Sequence, residues 1–140
     1  MSTNYGLEGV KKLEDEELDL AVAKALGWPI FQSPRNPDEY YYEAEDGSVI
    51  WTNTWHPSTK ARQFLKLMLD YRVGVIYSKP KKRWKAIGYV DQSPEAIDQD
   101  AIFTFGISPS EAVCRCIILL KEAGAKCYYQ KIQESLQGDD

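Results

Sequence analysis

The stretch Ser108-Pro109-Ser110-Glu111, followed at once by the run Ala112 to Leu120, constrains this chain more than any other feature. Ser108 has the side chain of a helix cap, and proline is favoured at the first helical position. Glu111 stands where its carboxylate can reach back to the Ser108 amide. A capping box with proline inside it, running into apolar residues, fixes a helix start to within about two residues. The helix is expected to reach Ala123 and to stop at Gly124, a residue suited to a C-cap.

Two more helices follow from apolar spacing. Leu18, Val22, Ala25 and Leu26 recur at helical intervals, and Gly27 with Pro29 ends the pattern. The acidic residues from Glu14 to Glu17 suit the first turn of that helix. A further helix is expected from a cap at Ser58 or Thr59 to Tyr71, with Ala61, Phe64, Leu65, Met68 and Leu69 as its apolar stripe. Between the helices lie strand-like runs: 28–32, 39–44, 49–52, 73–77, 83–90 and 101–105. Asp46-Gly47 is a hairpin turn signal, and Ser78 to Lys82 reads as a second turn. Residues 91–100 read as a polar loop.

Helices alternating with antiparallel hairpins define an α+β domain. The expected architecture is a layered α/β/α sandwich, with a mostly antiparallel sheet and about three helices. At 140 residues the chain fits one domain, 1–140. Residues 12–126 form its expected core, with 1–11 loosely held and 127–140 a short docked helix or a continuation. A domain of that size buries roughly 70% of its unfolded surface, so it needs no disulfide or metal.

Bulk properties exclude several classes. The formal charge of −4 argues against non-specific binding to nucleic acid or anionic lipid, which needs net or local positive charge. The longest unbroken apolar stretch, Ile117 to Leu120, is far below the ~20 residues of a spanning helix. The N-terminal residues lack the pattern of a secretory signal. Cys114, Cys116 and Cys127 form no Cys-x-x-Cys pair, and two helical positions two apart point nearly opposite ways. Reduced thiols in a cytosolic protein are the expectation, at least one of them filling the core.

Three segments, in this order, resemble a known family. They are Leu18-Asp19-Leu20-Ala21-Val22-Ala23 with Leu26-Gly27-Trp28, then Pro57-Ser58-Thr59, then Ser108-Pro109-Ser110-Glu111-Ala112-Val113-Cys114-Arg115. Together they resemble the phage ABA-sandwich domain over about residues 17–123. The resemblance implies a sheet between helical layers and a phage or prophage origin. It carries no catalytic residue onto this chain. Leu26 stands where the family commonly has methionine, and Cys116 where alanine is frequent.

Candidate sites are few. Lys79-Pro80-Lys81-Lys82-Arg83-Trp84-Lys85 is the one positive cluster. Lys81, Lys82, Arg83 and Trp84 have the chemistry to contact phosphates and stack a base; a solvated hairpin with edge-protecting lysines explains the same residues. Tyr40, Tyr41, Tyr42, Trp51 and Trp55 concentrate the aromatic surface. Alternation puts Tyr40 and Tyr42 on one face of a strand and Tyr41 on the other, so one face is left for an interface unless helices cover both. His56 has hydroxyl neighbours but no nearby carboxylate in sequence. Asp91, Asp98 and Asp100 lack the glycine and terminal glutamate of a calcium loop. No phosphate loop, nucleophile elbow or dinucleotide fingerprint is present.

The expectation is a cytoplasmic phage or prophage accessory protein that binds and does not catalyse. It has no metal, no cofactor and no membrane contact. Its favoured partner is a second copy, giving a homodimer, or a host or phage protein. The alternative is a nucleic-acid or nucleotide-binding module using the hairpin 79–85.

Overall fold

The computed structural model describes residues 5–91 and 101–126. The chain forms four α-helices and two antiparallel three-stranded sheets, in the α+β class expected. In chain order the elements are α1 (Gly6–Val10), α2 (Asp15–Ala25), β1 (Ile30–Gln32), β2 (Tyr40–Glu43), β3 (Val49–Trp51), a 3₁₀ turn (Thr52–Thr54), α3 (Ala61–Tyr71), β4 (Gly74–Ser78), β5 (Arg83–Gly88), β6 (Ile102–Gly106) and α4 (Pro109–Glu122).

The centre of the molecule is α4. It begins as the capping signal predicts: Ser108 Oγ accepts the Glu111 amide at 3.2 Å, with Pro109 in the first turn. The other half of the box does not form. Glu111 turns its carboxylate to Arg115 instead, at 2.8 Å, because a buried guanidinium needs a counter-charge more than an N-terminal amide does. Nine residues of this helix are buried, on nearly all sides. One side lies across β4, β5 and β6, and the others meet α1, α2 and α3. A helix enclosed in this way cannot be polar on any long face, which explains the run Cys116-Ile117-Ile118-Leu119-Leu120.

Sheet and helix approach closely at two glycines. A Cβ on Gly106 would lie 2.6 Å from the Ala112 backbone nitrogen, and one on Gly88 would lie 2.7 Å from Leu120 Cδ1. Thr104 adds a tie, its hydroxyl donating to the Ala112 carbonyl at 2.6 Å.

Two expectations for the first half of the chain need correction. Residues 6–10, expected to be loosely held, form α1 with Val10 buried, and the Gly6 amide donates to Glu122 at 3.1 Å. The start of α3 is also displaced. Neither Ser58 nor Thr59 caps it; Lys60 occupies the cap position without a side-chain capping bond, its ammonium donating instead to the Thr54 carbonyl at 3.0 Å. Ser58 is engaged elsewhere: its amide donates to Asp19 at 2.8 Å, and its carbonyl accepts the Ser110 hydroxyl at 2.5 Å. The buried row of α3 is Leu67 and Tyr71, with Phe64 and Met68 half-buried beside them. Leu65 and Leu69, expected in that row, face outward.

The Asp46-Gly47 hairpin forms as expected, joining β2 to β3 through an Asp46 side chain that accepts the Ser48 amide at 3.0 Å. The second hairpin joins β4 to β5 through residues 79–82, with Lys82 in the left-handed region at φ +52°. The tail helix expected in 127–140, Cys127, Asp98 and Asp100 lie outside the described residues. No helix among the described residues is long and apolar enough to cross a membrane.

Candidate functional site

The second sheet, in the order β4-β5-β6, has one face on α4 and an open face that no element among the described residues covers. Strand alternation decides which side chains go where. Ala86, Gly88 and Thr104 lie on the α4 side and are buried. The register pairs Ile76 with Lys85 and Lys85 with Phe105, while Gly74, Ile87 and Phe103 align in the next open row. On this open face Ile76 is 57% exposed and Phe103 is 44% exposed. The lysines lie on the rings rather than away from them: Lys85 Nζ is 4.1 Å from the centre of Phe103, and Lys81 Nζ is 4.7 Å from that of Phe105. Each contact is a cation–π pair.

The charge along β4 and β5 is one-sided, although the segment 91–100 between β5 and β6 carries Asp91, Glu95, Asp98 and Asp100. Residues 72–90 carry six of the chain's 17 cations and none of its 21 carboxylates. The first sheet has the opposite character. Residues 33–51 hold five carboxylates and a single cation, Arg35. The negative total therefore conceals two poles of charge, set apart along the sequence.

The four residues singled out in the basic hairpin do not act as one group. Lys81 and Arg83 line a common cleft. Lys82 is exposed at the hairpin turn. Trp84 has the parity of the α4 side and packs edge-to-face on Tyr77, ring centres 5.3 Å apart, so it is not a base-stacking ring of the open face. The rings available there are Phe103 and Phe105, which come from a strand about 20 residues downstream and carry no charge signal in sequence.

The aromatic residues of the first sheet also divide. Tyr42 and Trp55 are core residues, each about 5% exposed, and cannot present an interface. Trp55 Nε1 donates to the Asp19 carbonyl at 3.0 Å, and its ring lies 4.7 Å from Trp28. Burial and the nearby Asp19 push the Tyr42 phenol up. Tyr41 and Trp51 face outward in a ladder with Phe31, ring centres 5.5 and 5.4 Å apart along the row. Tyr40 is exposed on the opposite face of β2.

The fold gives His56 the carboxylate that its sequence neighbours lack. Its Nδ1 lies 3.3 Å from Asp19 Oδ2, and its Nε2 lies 2.9 Å from the Asn53 carbonyl. Ser58 is close by, so the residue types of a hydrolytic triad are gathered. Their geometry is not that of a triad. The imidazole nitrogen that would serve a nucleophile faces a backbone carbonyl, and Ser58 Oγ is buried without a hydrogen bond among the described residues. The group works as a clamp between α2 and the loop before α3. Burial pushes the Cys116 thiol up to about 12 and raises Cys114 as well, which keeps both protonated and unreactive at neutral pH. No group of three His, Cys, Asp or Glu side chains converges as a metal site among the described residues.

These features define a small α+β domain built on one enclosed helix, with an aromatic basic face on one sheet and an aromatic acidic one on the other. The chain belongs to the family described as Bacteriophage P22, NinX, whose model matches residues 9–121. It is a phage accessory protein. The phage origin implied by the three motifs stands; the matching description is NinX, and it carries no sandwich name. No curated protein matches the chain.

Proposed function

We propose that this phage accessory protein binds single-stranded nucleic acid on the open face of β4-β5-β6 and catalyses no reaction. The observation that carries the reading is the pairing of Phe103 with Lys85 and of Phe105 with Lys81 on an exposed sheet that has no carboxylate in residues 72–90. An aromatic ring offers stacking to any base, and the lysine lying over it can swing to a phosphate as the base takes its place, which together favour single strands without strong sequence preference. Lys82 supports the same reading. A left-handed turn position suits glycine, yet the chain places a third lysine there.

The test is fluorescence anisotropy of a labelled oligo-dT of about 12 nucleotides, a span within the usual site size. The wild-type chain should bind at low salt. The double variant Lys81→Glu, Lys85→Glu should bind at least about tenfold more weakly, since it reverses two phosphate contacts. Phe103→Ala should lose about 1–3 kcal/mol if a base stacks there. Binding that ignores all three substitutions would overturn the reading.

The Phe31–Tyr41–Trp51 ladder favours a second reading, a protein interface, with a second copy of the chain or a host or phage protein as partner. Its acidic surroundings repel nucleic acid, whereas exposed aromatic rings are enriched in protein interfaces. Light scattering on the full chain and on Tyr41→Ser, Trp51→Ser tests self-association. A mass that is monomeric for both proteins would count against the homodimer.

A further inference from the structure

We infer that the cleft along the edge of β6 that pairs with no strand among the described residues is a binding site for a nucleoside phosphate. The cleft has a volume of about 600 Å³, within the range of about 300–1,000 Å³ that holds small organic ligands. Four separate stretches of chain build it. Leu7, Val10 and Leu119 supply apolar wall from α1 and α4, and every residue of β6 lines the opposite side. Lys11, Lys81, Arg83 and Arg115 add four cations, and no carboxylate is among the described lining residues. A low-dielectric cleft lined by one sign of charge concentrates counter-ions of the other.

Arg115 anchors the cleft. It is 7% exposed, and its guanidinium donates to the Phe105 carbonyl at 2.8 Å and to the Leu13 carbonyl at 3.0 Å. Glu111 balances its charge, so the net positive character comes from Lys11, Lys81 and Arg83. Lys11 also meets Glu8 at 3.2 Å, an exposed pair that an anion can replace at little cost. Arg115 Nε is buried with no hydrogen-bond partner among the described residues. The same arginine decides against an added peptide strand. It already occupies the Phe105 carbonyl of the edge that a strand would have to pair with. A compact ligand with an apolar ring and a phosphate tail fits what remains: apolar wall, phenylalanine edges and three cations.

The cleft shares Lys81, Arg83, Phe103 and Phe105 with the proposed nucleic-acid face, yet the two can fail separately. Lys11 and Leu119 line only the cleft, and Lys85 belongs only to the face. The nucleoside phosphate can be free or can be the end of a strand.

The test is calorimetric titration of the full chain with the four ribonucleoside triphosphates, adenosine and inorganic pyrophosphate. It is run beside anisotropy with 5′-phosphorylated and 5′-hydroxyl oligo-dT. At least one triphosphate should bind at one site per chain with micromolar affinity, and adenosine and pyrophosphate at least about tenfold more weakly. Lys11→Glu should weaken that binding several-fold, Leu119→Trp should abolish it by filling the cleft, and Lys85→Ala should leave it unchanged. Should Leu119→Trp fail to fold, Lys11→Glu, at the exposed C-cap of α1, carries the test alone. A preference for the phosphorylated oligonucleotide that Lys11→Glu removes would place the ligand at a strand end. No heat with any triphosphate up to about 1 mM, together with no preference between the two oligonucleotides, would overturn the inference. So would binding indifferent to Lys11→Glu.

Discussion

At the scale of single residues, the tightest constraint is the absence of a side chain at Gly106. The atom that a Cβ would meet belongs to the α4 backbone, 2.6 Å away, and backbone cannot rotate aside. Gly106→Ala should therefore destabilise the fold by about 1–3 kcal/mol, the usual cost of overpacking. Gly88→Ala should cost less, because its nearest neighbour is the end of the flexible Leu120 side chain. Urea denaturation of both variants checks the order. The buried thiols give a second expectation. In the folded chain Cys116 holds its proton up to about pH 12, whereas an unfolded thiol releases it near pH 8.5. The unfolded state then binds fewer protons, so this contribution is intact below about pH 8.5 and is lost as pH rises toward 12. The slope is at most about 1.4 kcal/mol per pH unit for each such thiol. Cys116→Ala should start from lower stability and show a shallower alkaline limb in pH-dependent denaturation. An unchanged slope would mean that the thiol ionises in the native state.

At the scale of elements, legibility follows from how local each signal is. The start of α4 is written in four consecutive residues, and Ser108→Ala should cost about 1 kcal/mol by leaving the Glu111 amide without its acceptor. Chemical denaturation measures it; a loss near zero would show that water replaces the cap. The start of α3 carries a similar Ser-Thr signal that fails for a non-local reason. The backbone groups of Ser58 are taken by Asp19 and Ser110, 39 and 52 residues away. The α3 stripe was ambiguous in itself, since Leu65, Leu67, Met68 and Leu69 satisfy helical spacing in more than one register. Only contact with α4 chooses the row of Leu67 and Tyr71. The candidate sites obey the same rule. The basic hairpin was visible because its charges are contiguous. Phe103 and Phe105 were visible only as strand formers, since their exposure depends on which face α4 covers. The β6 cleft had no signal, because four distant stretches build it.

At the scale of the whole molecule, the separation of charge sets how binding should respond to salt. If about four of the cations in 79–85 contact phosphates of a single strand, log K should fall with log salt at a slope of about −3. That slope supposes that the strand sees only the basic pole. At about 0.1 M salt the Debye length is ~10 Å, short enough to screen the strand from carboxylates that do not border the basic face. Near 0.01 M it lengthens to ~30 Å and takes in the whole domain, whose net charge is −4. Long-range repulsion then opposes local attraction, and further dilution of salt gains less affinity than counter-ion release alone predicts. The plot of log K against log salt for oligo-dT should accordingly bend, steep above about 0.1 M and flat below about 0.02 M. Removing carboxylates from the other pole, as in Glu43→Gln with Glu45→Gln, should straighten the low-salt limb while leaving the high-salt slope unchanged. Those residues lie on the first sheet or in its hairpin turn, with no place in the proposed face. A straight line in both proteins would show that the poles are not electrically separate, and a slope near zero would remove the phosphate contacts altogether.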